Sequence, residues 1–437
     1  MFSVLHNRTY RQLFLAQIIA LLGTGLATVA LGLKAFELAG ADAGAVLGTA
    51  LAIKMLAYIG IAPLASAITG LLPRRALLIS LDLIRASVAL LLPFVDQIWQ
   101  IYLLIFLLQS ASAAFTPTFQ ATIPDILPDE KDYTRALSLS RLAYDLENIL
   151  SPLLAAALLT VFSFHSLFNG TVLGFCGSAL LVLSVSLPSP RADTERSFAQ
   201  RATLGLRIFL ATPRLRGLLA LNLVVASASA MVIVNTVVLV QSQFGLSEQA
   251  TAWAFAAFGT GSMLVALLMT KLNERLATRS LMLAGAVLVS SGLLAGLLID
   301  SYNALITVWF LLGLALSLIQ TPAGQLLRRS AHAQDRPALF AAQFALSHGC
   351  WLLTYPLVGW LGANLSWSLT FSLMAALAAL AAVLGYRLWP VEDADNLQHS
   401  HEGLADDDPH WHEGHGQQGY QHSHHFVIDD KHPVWPR

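Results

Sequence analysis

The sequence predicts an all-α integral membrane protein with twelve transmembrane helices in two six-helix repeats, followed by a disordered, His-rich cytoplasmic tail. Composition, the distribution of charge and an internal repeat lead to this fold class. Of the 437 residues, 56% are hydrophobic and only 12% are charged, against about 25% charged residues in ordinary soluble domains. The mean hydropathy of +0.64 requires apolar runs too long for soluble cores. A soluble enzyme is therefore excluded, and lipid is the expected surrounding.

Apolar runs of about 20 residues alternate with short polar connections, which is the pattern of helices that cross a bilayer. Several runs contain Gly or Pro, which neighbouring helices in a bundle tolerate. The twelve expected spans cover residues 13–37, 44–70, 77–95, 99–122, 137–162, 166–188, 217–242, 249–270, 280–299, 303–326, 338–361 and 367–389.

Basic side chains lie almost entirely on one side of these expected spans. We assign 23 of the 25 Lys and Arg residues to the termini, to alternate loops or to the span segments next to those loops, which leaves Lys34 and Lys54. Cytoplasmic loops of membrane proteins are enriched in Lys and Arg. We therefore expect a multi-pass protein of the bacterial inner membrane with both termini in the cytoplasm.

The two halves of the chain share residues at a nearly constant spacing. The pairs that recur 204 or 205 positions apart are Arg11 and Arg216, Gln17 and Asn222, Thr116-Pro117 and Thr321-Pro322, Arg75 and Arg279, and Pro152 and Pro356. A parallel repeat of this kind predicts alternating access to a site between two bundles, near the bilayer midplane. The expected domains are a first six-helix bundle over 1–188, a cytoplasmic linker over 189–215, a second bundle over 216–389 and the tail over 390–437.

These features resemble the major facilitator superfamily over about 390 residues. The segment Pro63–Arg75, between the second and third spans, is similar to the signature loop of that superfamily. Ser66 stands where the loop normally has a glycine, and Gly70-Leu71 stands where it has an Asp-Arg pair. The resemblance implies the major facilitator fold and secondary transport. A cytoplasmic charge cluster is expected from Arg74, Arg75, Asp82 and Arg85.

Ionisable side chains within the spans are candidates for transport and proton coupling, because each costs roughly 2.5 to 3.5 kcal/mol to insert into a bilayer. Lys34 has Glu37 one turn away and is interpreted as a local ion pair. The segment Glu147–Pro152 resembles the antiporter motif of the superfamily, which favours export. The transport and proton-coupling candidates are Lys54, Asp82, Arg85, Asp145, Glu147 and His348.

The fifth and eleventh spans carry polar groups at repeat-related positions. Asp145 and Glu147 lie in the fifth span, and His348 lies in the eleventh. Carboxylate and neutral imidazole groups bind borderline divalent metals, so metal and proton can compete there. The alternative is interhelical hydrogen bonding. Lys54 in the second span favours an organic anion over a divalent cation if it is protonated and unpaired.

Neutral polar side chains are candidates for lining a cavity between the halves. Their amide groups can contact a passing substrate, but they can equally hold neighbouring helices together. Both readings stay open from the sequence. The residues are Gln17, Gln120, Asn222, Asn235 and Gln325.

The last 48 residues form an acidic, His-rich segment that holds 10 of the 26 acidic residues and 9 of the 13 histidines. HxH and HxxH spacings can wrap imidazoles around Ni²⁺, Co²⁺, Zn²⁺ or Cu²⁺, and nearby carboxylates attract cations. The alternative is pH-dependent solvation or regulation. The aromatic end, Phe426–Pro436, is interpreted as a segment that docks on the membrane body. The expected metal ligands are His399, His401, His410, His412, His415, His422, His424, His425 and His432.

Within the superfamily, the chain resembles the nickel-resistance exporters. The resemblance rests on Thr321–Arg329, on Ala345–His348 and on the His-rich tail. It implies export of a divalent metal by proton antiport, with Ni²⁺ as the first expected substrate and Co²⁺ as the second. We expect a monomer in the lipid bilayer with no enzymatic activity, no bound cofactor and no nucleic-acid partner, and with Ni²⁺, Co²⁺ or Zn²⁺ as substrate or tail ligand. Two alternatives stay open: export of a small organic molecule or drug with a metal-sensing tail, and a membrane-anchored metal buffer or sensor.

Overall fold

A computed structural model describes residues 2–68, 72–187, 198–332, 335–394, 396–400, 415–418, 421–429, 431, 432 and 434–436. Within these residues the chain forms thirteen α-helices, followed by a small β-sheet in the tail. Twelve of the helices contain between 18 and 32 residues, and the remaining one is a 14-residue helix between the two halves. The all-helical membrane fold predicted from the sequence is confirmed.

The first bundle comprises α1 (Arg8–Ala39), α2 (Ala43–Ile68), α3 (Arg74–Leu91), α4 (Ile98–Ile126), α5 (Glu130–Leu158) and α6 (His165–Leu183). The short helix α7 (Phe198–Ala211) leads to the second bundle. That bundle comprises α8 (Pro213–Val237), α9 (Glu248–Arg275), α10 (Thr278–Ala295), α11 (Tyr302–Arg329), α12 (Arg336–Asn364) and α13 (Trp367–Leu388). A π-helical turn, Val238–Gln243, extends α8.

Local sequence explains where several helices begin and end. The side chains of Asn7, Ser247, Ser301 and Ser366 each accept a hydrogen bond from the backbone N–H three residues later, so they cap α1, α9, α11 and α13. Gly40, with a φ of +54°, ends α1 in a conformation that favours glycine. Twenty helical residues between such ends rise about 30 Å, which is the thickness of the hydrocarbon core of a bilayer.

Nine stretches of the described residues are long and apolar enough to cross a membrane, and the first of them, Arg8–Ile61, contains most of both α1 and α2. The helices α5 and α12 are not among these stretches. Each has 29 residues, which is enough to span a bilayer, but each carries ionisable side chains in its middle, Glu147 and His348 among them. Their length therefore allows these two helices to span a bilayer, although hydropathy alone does not identify them.

The packing of helices repeats between the two bundles. In the first bundle α1 packs on α5 and α6, α2 on α4, and α3 on α4 and α6; in the second, α8 packs on α12 and α13, α9 on α11, and α10 on α11 and α13. The main contacts between the bundles, α2 with α12 and α9 with α5, are also equivalent under the repeat. The 204–205-residue repeat in the sequence therefore corresponds to a two-fold pseudo-symmetric arrangement.

The helices alternate in direction, which gives the bundle two distinct ends. We call the end that contains residues 8, 213 and 388 the terminal side, because the chain enters and leaves the bundle there, and the opposite end the far side. The contact between α2 and α12 is tight on the far side, where a methyl group at Gly48 would overlap the Tyr355 carbonyl and one at Gly359 would overlap that of Gly44. Methyl groups at Gly60 and Gly349 would meet no atom within 4 Å. The α2–α12 interface is therefore closed on the far side.

The tail contains β-structure, which differs from the disordered tail that the sequence predicted. Strands β1 (Asn396–Ser400), β2 (His415–Gln418) and β3 (Gln421–His425) form an antiparallel sheet in the order β1-β3-β2. Polar strands of four or five residues have no alternating apolar pattern, so their pairing was not visible in the sequence. The sheet brings separate parts of the tail together.

The end of the tail docks on the second bundle and on α7, as the sequence indicated. Phe426 and Ile428 are buried in the same hydrophobic cluster as residues of α7, α8 and α13. Arg214, only 1% exposed, pairs with Asp393 at 3.2 Å, and Arg329 pairs with the same carboxylate at 3.2 Å. The Arg214 guanidinium also lies 5.4 Å from the centre of the Trp435 ring. We call Arg214, Arg329 and Asp393 the tail clamp.

Candidate functional site

Three of the predicted ionisable residues come together between the two bundles. Lys54 of α2 lies close enough to Glu147 of α5 and to His348 of α12 for their charges to interact. All three side chains are half-buried and lie away from the ends of their helices. Since α2 and α5 belong to the first bundle and α12 to the second, the group spans the interface. We call Lys54, Glu147 and His348 the central site.

Glu147 lies against α1 because a glycine leaves room for it. A methyl group at Gly25 would come within 3.1 Å of Glu147 Oε1 and would overlap the side chain of Ser151, one turn further along α5. Small residues allow such close approach of membrane helices. The ammonium group of Lys54 offsets part of the cost of holding a carboxylate inside the membrane. Glu147 and Lys54 therefore compensate each other across two helices.

Aromatic rings surround the imidazole of His348. Its ring centre lies 3.8 Å from that of Phe344, 5.4 Å from that of Tyr58 and 5.5 Å from that of Trp351. Trp351 is fixed by a 2.8 Å hydrogen bond from its Nε1 to Ser229 Oγ on α8. The ring of Tyr58 also lies 5.7 Å from the Lys54 ammonium, within reach of a cation–π contact. One face of the central site is therefore aromatic.

The hydrogen bond of His348 fixes which ring nitrogen remains available. Its Nδ1 lies 2.6 Å from the carbonyl oxygen of Phe344. A carbonyl only accepts, so Nδ1 carries a proton and donates. In the neutral imidazole Nε2 is then the atom with a free lone pair, able to take up a proton or bind a metal ion. The same side chain can therefore serve either cation, but not both at once.

The sequence interpretation missed the aromatic residues of this site. Tyr58 follows Lys54 by four positions, and Phe344 precedes His348 by four. Side chains four residues apart lie on the same helix face. That spacing was the signal that could have identified them.

Gln17 belongs to a hydrogen-bonded network between α1 and α5. Its Oε1 accepts a 3.0 Å hydrogen bond from Ser140 Oγ, and the Tyr144 side chain interacts with Gln17 and with Thr116 of α4. Tyr10 adds a 3.1 Å hydrogen bond to the carbonyl of Ala136. These contacts support the interpretation that Gln17 holds helices together.

The predicted charge cluster of Arg74, Arg75, Asp82 and Arg85 does not form, and this expectation is corrected. Asp82 and Arg85 pair with each other deep in the first bundle, where both are at most 5% exposed. Arg74 pairs instead with Asp125, and Arg75 donates to the carbonyl of Leu183. The cluster does not form because Asp82 lies two helical turns further along α3 than Arg74, deeper in the bundle. Its side chain therefore contacts different neighbours.

The pair of Asp82 and Arg85 is held by further contacts. Ser178 of α6 donates a 2.7 Å hydrogen bond to Asp82 Oδ2. The Arg85 guanidinium lies 4.1 Å from the ring centre of Phe115 and 4.5 Å from that of Phe175. The pair therefore joins α3 to α4 and α6 inside one bundle.

Three other predicted cavity residues bond neighbouring helices of the second bundle. Asn222 Nδ2 donates to Gln343 Oε1 at 3.4 Å, Asn235 Nδ2 donates to the Val358 carbonyl at 3.2 Å, and Gln325 Oε1 accepts from Asn273 at 3.3 Å. These contacts favour the interhelical role. The side chains of Gln120 and Asp145 lie outside the described residues, so their roles stay predictions.

The sheet in the tail sets some of the histidines beside one another. His399 of β1 is opposite His422 of β3, His424 is opposite Leu397, His425 is opposite Asn396, and His415 of β2 is opposite Ser423. His401, His410 and His412 lie outside the described residues. In the part of the chain that the structure describes, no three His, Cys, Asp or Glu side chains are grouped as a metal site. The metal ligands of the tail therefore stay a prediction.

His432 has a packing role that the sequence did not indicate. It is only 4% exposed, and its Nδ1 lies 2.8 Å from Asp429 Oδ1. Asp429 also lies 3.3 Å from His332 Nε2, and its carbonyl accepts from Arg207 of α7. Burial alone raises the pKa of Asp429, but the hydrogen bonds with His432 and His332 outweigh it and hold that pKa well below its ordinary value. His432 thus takes part in docking the tail.

The central site combines groups that can bind a proton or another cation. Glu147 and His348 Nε2 both accept protons, and Lys54 can pair with Glu147 when no other cation does. A cation that binds Glu147 must displace either a proton or the Lys54 ammonium. The Lys54–Glu147 pair lies within the first bundle, whereas a cation shared by Glu147 and His348 would join the two bundles.

Comparison with curated proteins finds relatives of low identity. The chain is 23% identical over 279 residues to an uncharacterized MFS-type transporter, YfiS, of Bacillus subtilis, with 61% of this chain and 66% of that protein matched. It is 28% identical over 120 residues to macrolide efflux protein A of Enterococcus faecalis, with 26% and 37% matched. The matched regions thus span less than two thirds of either relative.

Solved structures share the fold over most of the chain. A bacterial homologue of the human lysosomal transporter Spinster, in an inward-facing and unoccupied conformation, superposes with a TM-score of 0.70 at 13% identity, over 87% of this chain and 96% of that one. The nucleoside transporter NupG superposes with a TM-score of 0.64 at 12% identity, over 87% and 98%. The sequence model of the Major Facilitator Superfamily matches residues 13–239 and 218–407. The two six-helix bundles around a polar central site are therefore those of a membrane transport protein, and the chain belongs to the Major Facilitator Superfamily.

Proposed function

We propose that this transporter exports a divalent transition metal from the cytoplasm in exchange for protons. Ni²⁺ is the first candidate substrate, and Co²⁺ and Zn²⁺ are the next. The observation that carries the proposal is the tail, with nine histidines in 48 residues. Imidazole is a preferred ligand of these ions. A chain that concentrates such ligands beside a transport path is best explained by a metal cargo.

The orientation follows from charge. The termini and loops on the terminal side contain most of the 25 Lys and Arg residues, so we infer that this side faces the cytoplasm of a bacterial inner membrane. The far-side closure between α2 and α12 then corresponds to a state open to the cytoplasm, in which the tail and the central site face the same compartment. Metal from the cytoplasm would reach Glu147 and His348 in this state.

Proton coupling follows from the ligands. A metal ion binds deprotonated carboxylate and neutral imidazole, so binding releases protons and proton uptake releases metal. Lys54 contributes by pairing with Glu147 once the metal has left, which prevents an unpaired carboxylate in the membrane interior. An inward proton gradient then drives metal outward.

The proposal is tested by Ni²⁺ flux into proteoliposomes of the full chain, with and without an imposed pH gradient. We expect gradient-dependent flux that falls at least tenfold in Glu147→Gln and in His348→Ala. Glu274→Gln, an exposed carboxylate at the terminal end of α9, is the matched control and should transport like the unchanged protein. Absence of gradient-dependent flux of Ni²⁺, Co²⁺ and Zn²⁺ would overturn the proposal.

A second candidate is export of a small organic molecule, which was the first alternative from the sequence. The aromatic rings of Tyr58, Phe344 and Trp351 beside Lys54 favour it, because rings and one fixed charge are typical of pockets for organic ligands. The resemblance of a 120-residue segment to a macrolide efflux protein supports the same class. Gradient-dependent movement of a labelled macrolide in the same vesicles, without metal flux, would favour this candidate.

A further inference from the structure

Charged side chains of α1 and α6 meet on the far side of the first bundle. Lys34 Nζ lies 2.5 Å from Glu37 Oε2, and His165 Nε2 lies 3.6 Å from the same carboxylate oxygen. Lys34 is nearly buried, whereas the side chains of Glu37 and His165 are 42% and 37% exposed. His165 is the first residue of α6, and its ring packs at 4.0 Å on that of Phe164. The imidazole therefore lies at the surface of the far side, in contact with solvent.

The second bundle brings a further carboxylate to the same place. Glu248, the first residue of α9, is close enough for its charge to interact with His165 and with Glu37, and its carboxylate is within hydrogen-bonding reach of the Phe164 backbone. The next residue, Gln249, donates a 2.5 Å hydrogen bond from Nε2 to the carbonyl of Leu159, at the end of α5. The start of α9 is thus attached to the α5–α6 connection of the other bundle.

The charges on the two sides of this contact depend on His165. On the first bundle, Lys34 and Glu37 cancel, so the local charge is zero when His165 is neutral and +1 when it is protonated. On the second bundle Glu248 contributes −1. Attraction between net charges on the two bundles therefore requires the protonated imidazole, in addition to the hydrogen bonds of Gln249 and Glu248 with the first bundle. Lys34, Glu37 and Glu248 are the charged groups that face His165 in the described chain.

We propose that His165, Glu37 and Glu248 form a proton-dependent far-side latch, in which a proton on His165 stabilises the closed far side. Imidazole changes its charge between pH 5 and 8 more readily than other side chains. Opening the far side separates Glu248 from His165, because they belong to different bundles. Acid on the far side therefore favours the state that is open to the terminal side.

In this latch, His165 is a positioning residue for alternating access. Its role differs from that of the central-site residues, which are the candidates for substrate binding. In the orientation proposed above, it senses the external pH and speeds the return of the empty transporter when the outside is acidic. It rests on the alternating access of the superfamily and not on the identity of the cargo. It can therefore be tested without any metal.

The experiment measures the distance between the two bundles on the far side as a function of pH. Spin labels are attached to Ala41→Cys and Ser368→Cys, both exposed, in the full chain with Cys176→Ala and Cys350→Ala, reconstituted in lipid nanodiscs. Distance distributions are recorded at pH 8 and pH 5.5. We expect the ratio of far-side-closed to far-side-open molecules to rise by up to about fivefold at pH 5.5, since partly exposed ion pairs are weak.

Two variants isolate the latch. His165→Gln keeps a polar side chain that cannot gain a proton in this pH range. Glu248→Gln removes the negative charge on the opposite bundle. Both variants should lose the pH-dependent shift. His6→Gln, on the terminal side, is the matched control and should keep it. The proposal is overturned if the ratio of far-side-closed to far-side-open molecules changes with pH equally in His165→Gln and in His6→Gln. It is also overturned if this ratio does not change with pH in the labelled chain that keeps His165 and Glu248.

Discussion

Asp82 and Arg85 show how a charged pair persists inside a membrane bundle. Both side chains are removed from solvent, and the pair is completed by Ser178 and by the rings of Phe115 and Phe175. Such a pair adds little net stability compared with apolar residues, but loss of one partner leaves an uncompensated charge. Its role is therefore seen most clearly when only one member is removed.

Asp82→Ala should destabilise the protein by about 3 to 5 kcal/mol, because it removes the carboxylate that pairs with the buried Arg85 guanidinium. The matched variant is Asp132→Ala, which removes the partner of Arg135 in a pair whose side chains are 37% and 45% exposed. That change should cost no more than about 1 kcal/mol. Thermal unfolding in detergent, followed by circular dichroism, compares the two. Equal losses would contradict the assignment of a structural role to the buried pair.

Single residues differ in how well the sequence predicts their partners. The contact of Lys34 with Glu37 was predicted, because residues three apart on one helix are neighbours. The contact of Lys54 with Glu147 joins two helices about ninety positions apart, and no local spacing encodes it. Likewise, the interactions of His165 with Glu37 and Glu248 were not predicted, since neither residue is near it in sequence. Local pairs can be predicted, whereas partners on other helices need the fold.

At the scale of elements, the contact between α2 and α12 depends on glycine. A methyl group at Gly48 would overlap the Tyr355 carbonyl, and one at Gly359 would overlap the Gly44 carbonyl. The helices can therefore approach until their backbones touch on the far side. This contact must break whenever the far side opens, so its strength helps set the balance between the two open states.

Gly48→Ala should shift the balance toward the far-side-open state, because its methyl group overlaps the Tyr355 carbonyl. Overpacking of this kind costs about 1 to 3 kcal/mol. Gly60→Ala, on the same helix but with no atom within 4 Å of the added methyl group, is the control. Accessibility of a far-side cysteine to a membrane-impermeant reagent reports the shift. If both variants react alike, the close approach at Gly48 does not set the balance.

Among the elements, the twelve long helices were predictable and the tail strands were not. Long apolar runs separated by polar loops identify helices by composition alone. The strands of the tail are short and polar, and β1 pairs with β3 across more than twenty residues. Their formation depends on pairing between distant segments, which no short window contains.

At the scale of the whole molecule, the described part of the tail docks on the second bundle and on α7. In the described residues its anchoring contacts involve α7 and the terminal ends of α8, α11 and α13, through Arg207, the tail clamp, His332 and Trp389. The lowered pKa of Asp429 means that its contribution to docking is complete above the ordinary Asp pKa of about 4 and is lost only as the pH falls further. Docking at neutral pH thus includes the ionised Asp429.

Asp429→Asn should release the docked segment at pH 7, because it removes the charge that His432 and His332 contact. A hydrogen bond to a charged group contributes about 1.5 to 3 kcal/mol, so backbone amides of residues 426–428 should exchange with deuterium about ten- to a hundredfold faster. In the unchanged chain, exchange corrected for its intrinsic pH dependence should not accelerate between pH 8 and pH 5. Glu392→Gln, an exposed tail residue, is the control. Unaltered exchange in Asp429→Asn would contradict the role of this carboxylate.

The one-sided anchoring of the tail has a kinetic consequence for the proposed metal export. Because the described part of the tail docks on the second bundle, a rocking motion of the bundles would change the distance between its histidines and Glu147 on the first bundle. A tethered ligand of this kind raises the effective molarity of ions at the cavity entrance without forming part of the path. Removing it should leave the maximal rate of a saturated carrier intact while slowing the carrier when free ions are scarce, which makes the tail a means of scavenging at trace concentrations.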